Sequence, residues 1–173
     1  MFKIALAGNP NSGKTTIFNY LTGKNERVGN WTGVTVDIKE GTLRRKFNRL
    51  SDEVTIIDLP GAYSPDAYTR DEQLTIDYLK SHDVDAVLNV IDVNQLERGL
   101  MFTLDLLSCG KPVVVVLNKQ DIASRKKLSV DVMKLKGLLQ SDVVLTEAIN
   151  NIGVDDAVIA LLERLGGVNR ADA

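Results

Sequence analysis

The sequence predicts an α/β chain built on a doubly wound, mainly parallel sheet flanked by helices. Three observations predict it. Short, β-branched, nearly all-apolar runs recur at residues 2–7, 54–59, 86–91, 113–117 and 143–145. Runs without in-and-out alternation suit strands covered on both faces, which is the condition of a parallel sheet. Segments with helical spacing lie between these runs, so strand and helix alternate. A glycine-bearing turn follows the first run, at the carboxyl end of a strand, where open α/β sheets place their ligands.

Taken in order, the first run passes through Gly8-Asn9-Pro10-Asn11-Ser12-Gly13-Lys14-Thr15-Thr16 into a segment holding Ile17, Phe18 and Leu21. Residues 24–52 break the rhythm, being richer in Gly, Asn, Thr, Arg and Lys, and one strand is expected at 34–43. A helix over 74–79 leads to His82, the only histidine, which is expected to be solvated, as are Arg44-Arg45-Lys46 and Arg125-Lys126-Lys127. Leu96, Leu100, Leu104 and Leu107 form one apolar helical stripe, and Val154, Val158, Leu161 and Leu165 form another. Asp155 and Asp156 suit the first turn of that last helix, and Gly166-Gly167 suits its end. The expected domain is therefore 1–167, with 168–173 a polar tail opening a linker to further domains.

Composition bounds the function. A chain of 173 residues is long enough for one domain that buries roughly 70% of its unfolded surface. Lys and Arg number 21 against 23 Asp and Glu, a net charge of −2, which argues against coating nucleic acid. Cys109 is the single cysteine, so no internal disulfide can form and a reducing compartment fits. The longest clean apolar run, 112–117, is far short of the ~20 residues of a membrane helix. The first eight residues are too little for a signal peptide.

The stretch from Gly8 to Thr15 matches G-x-x-x-x-G-K-[ST]. Glycine at 8 and 13 admits backbone conformations that aim successive N–H groups at phosphate oxygens. The following helix adds the positive end of its dipole. Lys14 supplies a mobile charge for the β and γ phosphates, and the Thr15 hydroxyl is a hard ligand for Mg²⁺. A chance match in a chain this long is on the order of one in a hundred.

Asn118-Lys119-Gln120-Asp121 follows an apolar run. Asp121 can accept from both N1–H and the 2-amino group of guanine, whereas adenine offers neither donor, so the site should reject ATP. Lys119 would lie along the base. Asp58-Leu59-Pro60-Gly61 ends another run: Asp58 would hold Mg²⁺ through a water, and the Gly61 N–H would meet the γ-phosphate. For a second threonine ligand the chain offers Thr32, Thr35 and Thr42; Thr35 is preferred because Gly33-Val34-Thr35 precedes the expected edge strand and could fold over the nucleotide. Thr146-Glu147-Ala148 follows the fifth run, with the Ala148 N–H placed as a donor to the guanine O6.

These motifs, in this order, resemble a small GTPase of the translation-factor-related class over essentially the whole chain. Val28-Gly29-Asn30-Trp31-Thr32-Gly33-Val34-Thr35-Val36, Asp58-Leu59-Pro60-Gly61-Ala62-Tyr63-Ser64, Asp71-Glu72-Gln73 and Asn94-Gln95-Leu96-Glu97-Arg98-Gly99-Leu100 narrow the resemblance to the amino-terminal G domain of the FeoB ferrous iron transport family. Two departures stand out: Thr32 replaces a frequent proline, and Lys119 replaces a frequent methionine.

The resemblance implies a GTPase requiring Mg²⁺. It also implies continuation into a helical module and a membrane transporter at the cytoplasmic face of the bacterial inner membrane, with any oligomer arising through the full-length protein. No nucleic acid partner is expected, and iron is not expected to bind this domain directly. Ala62 stands where many GTPases carry a water-orienting glutamine. A methyl group cannot orient water, so backbone groups of 29–35 or Ser12 must do so, or hydrolysis is slow. The resemblance further implies that Asn11 helps bind K⁺ beside the phosphates, offsetting developing charge. Two alternatives stay open: a nucleotide-sensing switch whose turnover only resets its state, and a soluble ribosome- or RNA-associated GTPase.

Overall fold

The computed structural model describes residues 1–24, 27–30, 37–59 and 70–171. In chain order the elements are β1 (Phe2–Ala7), α1 (Lys14–Thr22), β2 (Arg27–Asn30), β3 (Asp37–Thr42), β4 (Val54–Asp58), α2 (Arg70–Ser81), β5 (Ala86–Asp92), α3 (Leu96–Ser108), β6 (Val113–Asn118), α4 (Gln120–Arg125), α5 (Val132–Leu139), β7 (Asp142–Leu145) and α6 (Val154–Ala171). They build one seven-stranded sheet in the order β2-β3-β4-β1-β5-β6-β7. β1 pairs in parallel with both β4 and β5, and the parallel run continues through β6 to β7. Among the strand pairs of the described residues, β2–β3 and β3–β4 are the antiparallel ones. The expected mainly parallel sheet is what forms.

Alternation along each strand divides the core in two. In β6, Val114 and Val116 face a cluster with Ile17, Phe18 and Leu21 of α1 and Val158, Leu161 and Leu165 of α6. Val113, Val115 and Leu117 face the opposite cluster, which contains Leu79 of α2 and Phe102 and Leu106 of α3. Each such fully buried side chain contributes about 1.5–3 kcal/mol. Helices on both faces make the sheet doubly wound, and β1, flanked by β4 and β5, marks where the winding reverses.

Four expectations need correction. In α3 the buried face is Gly99, Phe102, Thr103 and Leu106, while Leu104 is 60% exposed. A Cβ on Gly99 would sit 2.3 Å from Ile91 Cγ2, so the bare glycine lets the helix press on the sheet and turns Leu104 outward, while Leu96, Leu100 and Leu107 stay packed, partly buried, against the core. Asn89 reinforces that rotation, donating from Nδ2 to the Thr103 hydroxyl at 2.7 Å. At the carboxyl end, α6 does not stop at Gly166-Gly167 but continues to Ala171, through most of the expected tail. Glycine weakens a helix by about 1 kcal/mol but keeps its backbone donors and acceptors, so it does not force an end.

His82 is half-buried rather than solvated, stacked on Tyr78 with ring centroids 4.0 Å apart. Arg44 and Lys46 are not a merely solvated strand end either: both place their cations over the Tyr20 and Phe47 rings, at 4.4 to 5.3 Å.

Candidate nucleotide-binding site

The loop after β1 is shaped by backbone. Gly8 adopts φ +140, and a Cβ there would lie 2.1 Å from the Val90 carbonyl oxygen. Gly13 adopts φ +106 at the entrance to α1, where a Cβ would strike Asn118 Nδ2 at 2.2 Å. Asn11, exposed between them, is left-handed at φ 59. Only this tight course lets the loop turn beneath the amino end of α1.

The side chains of that loop are unusually underused. Lys14 is buried, and its ammonium donates to the carbonyls of Gly8 at 2.8 Å and Asn9 at 3.4 Å. Burial pushes its pKa below the ordinary lysine value, with the Asp58 charge pulling it partly back. Asn9 Oδ1 and Ser12 Oγ are buried and have no hydrogen-bond partner among the described residues. Buried polar atoms without partners are uncommon, and here two share one loop. Pro10 is half-buried and Thr16 is exposed beside Thr15. The Ser12 hydroxyl is fully buried.

β4 brings Asp58 next to α1, and the Thr15 hydroxyl lies 3.4 Å from Asp58 Oδ2. Two hard oxygen donors at the edge of a phosphate loop fit Mg²⁺. Asn11 offers one neutral amide oxygen at the rim, a donor type that suits K⁺. Gly33, Val34, Thr35 and Gly61, expected to close over the nucleotide, lie outside the described residues, as do Trp31 and Ala62.

The base-reading side is wired through Asn118, which is buried at the end of β6. Its Nδ2 donates to the Ser12 carbonyl at 2.8 Å, while its Oδ1 accepts from the Thr146 hydroxyl at 3.0 Å and the Ala148 N–H at 2.9 Å. One amide thus ties together the phosphate loop and the segment after β7. The Ala148 N–H, expected to donate to the guanine O6, is engaged by this bond because Asn118 reaches across first. Glu147 turns away, accepting from Asn150 Nδ2 at 3.2 Å.

Asp121 opens α4, and its Oδ2 accepts from Arg125 Nη2 at 2.9 Å. Lys119 takes a left-handed backbone, φ 69, and its ammonium reaches Asp92 Oδ2 at 2.7 Å. Sequence reasoning missed both partners. Arg125 could have been found by its i,i+4 spacing from Asp121. Asp92 could have been found only by pairing the ends of two strands.

Comparison with known proteins agrees with this geometry. Residues 2–161 match the family model described as ferrous iron transport protein B. The Fe(2+) transporter FeoB of Salmonella typhimurium is 44% identical over 162 residues, covering 91% of this chain and 20% of the transporter. The cytosolic domain of L. pneumophila FeoB superposes with a TM-score of 0.81 at 44% identity, covering 93% of this chain and 62% of that one. The cytosolic domain of the T. maritima FeoB transporter in its GMPPNP form gives 0.82 at 37% identity, covering 94% and 63%. A P-loop GTPase fold with nucleotide-bound neighbours and a matching family model leaves one assignment: the chain belongs to the ferrous iron transport protein B family and represents its G domain.

Proposed function

We propose that this domain binds GTP with Mg²⁺ and hydrolyses it slowly to GDP and phosphate, as the cytosolic switch of a ferrous iron transporter. The observation that carries the reading is the Asn118 amide, which joins the phosphate loop to the base-reading segment at one end of the sheet. Such a link serves a ligand that carries phosphates and a base together.

In binding, the Lys14 ammonium exchanges the Gly8 and Asn9 carbonyls for β- and γ-phosphate oxygens, regaining the charge partner that burial denies it. Asn9 and Ser12 gain partners for their enclosed oxygens, while the loop N–H groups and the start of α1 face the anion. Thr15, Thr35 and, through a water, Asp58 would hold Mg²⁺, which would neutralise phosphate charge. Asn11 would similarly offer its amide oxygen to K⁺. With Ala62 unable to orient water, that task falls to Ser12 or to backbone groups of 29–35, and Gly61 meets the γ-phosphate. Asp121 exchanges Arg125 for the two guanine N–H donors.

The test is phosphate release from GTP and ATP, each in K⁺ and in Na⁺, with Asn11→Ala alongside. GTP should turn over and ATP should not, and K⁺ should accelerate the wild type but not the variant. Equal turnover of both nucleotides sinks the base assignment; equal rates in both salts sink the K⁺ role. The nucleotide-sensing reading differs in output: a slow Asn11→Ala variant would still support iron uptake by the full-length protein.

A further inference from the structure

We propose that Asp92 is a positioning residue for guanine recognition, acting through Lys119. The inference rests on the guanine-nucleotide reading above and deepens it.

Asp92 closes β5 and stands in register with Asn118, which closes β6, so the residue after Asn118 begins beside the Asp92 carboxylate. Both oxygens of that carboxylate are engaged. Its Oδ1 accepts from the Asn94 N–H at 2.9 Å and from Asn94 Nδ2 at 2.8 Å, and its Oδ2 accepts the Lys119 ammonium at 2.7 Å. The pair is partly withdrawn from water, with side-chain exposures of 13% for Asp92 and 28% for Lys119. Burial alone would raise the Asp92 pKa, but the bonds from Lys119 and Asn94 and the ammonium charge outweigh it and hold the carboxyl below its usual range.

Two consequences follow for the base. Pinning Nζ fixes both ends of the lysine stem, giving four methylenes a set course along which a purine can lie. Pinning also supports the left-handed backbone of Lys119, an unfavourable conformation for a side chain with a Cβ. From that corner the Lys119 carbonyl accepts from the N–H groups of Ile122 and Ala123, at 3.0 and 3.1 Å, and so starts the helix whose second residue is Asp121. Asp92 thus sets where the guanine-reading carboxylate stands without touching the base. Lysine rather than methionine at this position makes the device available, since a thioether could not form the pair.

The experiment measures the affinities of this chain for GDP and IDP, which lacks the 2-amino group, in the wild type, Asp92→Asn, Lys119→Met and the double variant. Asp92→Asn should weaken GDP about tenfold, about 1.4 kcal/mol, and shrink the GDP-over-IDP preference. Lys119→Met should do the same, and Asp92→Asn should add nothing in its background. If Asp92→Asn fails to fold, Lys119→Met, which keeps the Asn94 bonds, still carries the test. GDP affinity within twofold of wild type in either folded single variant overturns the proposal. So does a loss that persists undiminished in the Lys119→Met background, which would mean that Asp92 acts through Asn94. A wild type that binds neither nucleotide overturns the guanine reading itself, and this inference with it.

Discussion

The phosphate loop and the base-reading segments sit at the same end of the sheet but are prepared in opposite ways. The loop from Gly8 to Thr15 is sterically constrained in backbone and unfinished in side chains: Asn9 Oδ1 and Ser12 Oγ lack partners among the described residues, and Lys14 rests on the carbonyls of its own loop. Around Asn118, Lys119 and Asp121 the side chains are already matched, to Thr146 and Ala148, to Asp92 and to Arg125. On the proposed reading, phosphate affinity would come from desolvated groups that the ligand completes, and base specificity from side chains already partnered, among which the ligand must enter by exchange.

Breaking the link between the halves should have the largest effect. Asn118→Ala removes three buried hydrogen bonds, at about 1 kcal/mol each, so stability should fall by about 3 kcal/mol. For a domain of this size that lowers Tm by roughly 10 °C in a thermal melt. Nucleotide binding should vanish with it. A variant that melts within 2 °C of wild type and loses only base preference would show that the halves are independent.

Gly8→Ala attacks the phosphate half alone. The added Cβ would meet the Val90 carbonyl oxygen at 2.1 Å, so the loop must shift. About 2 kcal/mol of stability should be lost, read by denaturant unfolding, and GDP affinity should fall by more than tenfold. Residual binding should still prefer GDP over IDP, because Asp121 is untouched.

Lys14→Met separates affinity from stability. The Lys14 ammonium binds its proton less tightly folded than unfolded, so the folded chain carries a cost at neutral pH. That cost lifts as pH rises through the lowered pKa toward the ordinary 10.5. Methionine fills the site without the charge. The nucleotide-free variant should be more stable at pH 7, an advantage that shrinks at alkaline pH, while GTP binding is abolished. Unaltered GTP affinity would refute the role of Lys14 altogether.

The two halves also differed in how legible they were. The phosphate loop could be read directly because its geometry is local: glycine positions, a lysine and a hydroxyl follow one another along a single turn. The strands at 2–7 and 113–117 were legible for a related reason, since residues covered on both faces are apolar throughout. Arg27–Asn30 was missed as a strand because an antiparallel edge of four residues carries no such run. The face of α3 was legible at Leu96, Leu100 and Leu107, but its centre was missed because leucine spacing outweighed Gly99, whose missing side chain sets the rotation only once Ile91 is opposite it. Asp92 and the engaged Ala148 amide depend on strand register and on a side chain crossing between segments, neither of which spacing encodes.

The smallest effect tests the exchange itself. Arg125 is 75% exposed, so its pair with Asp121 is worth only about 0.3–0.5 kcal/mol as an i,i+4 contact. That pair occupies an oxygen that guanine needs, and Arg125→Ala should therefore strengthen GDP binding by about twofold while leaving Tm within a degree. Raising salt should shrink the twofold difference between variant and wild type, because screening weakens the same exposed pair, while the loss from screened phosphate contacts is common to both. Titration of GDP at low and high salt checks both. A weaker complex in Arg125→Ala would mean that the guanidinium holds the carboxylate in its reading position, and base recognition would then proceed by completion, as on the phosphate side.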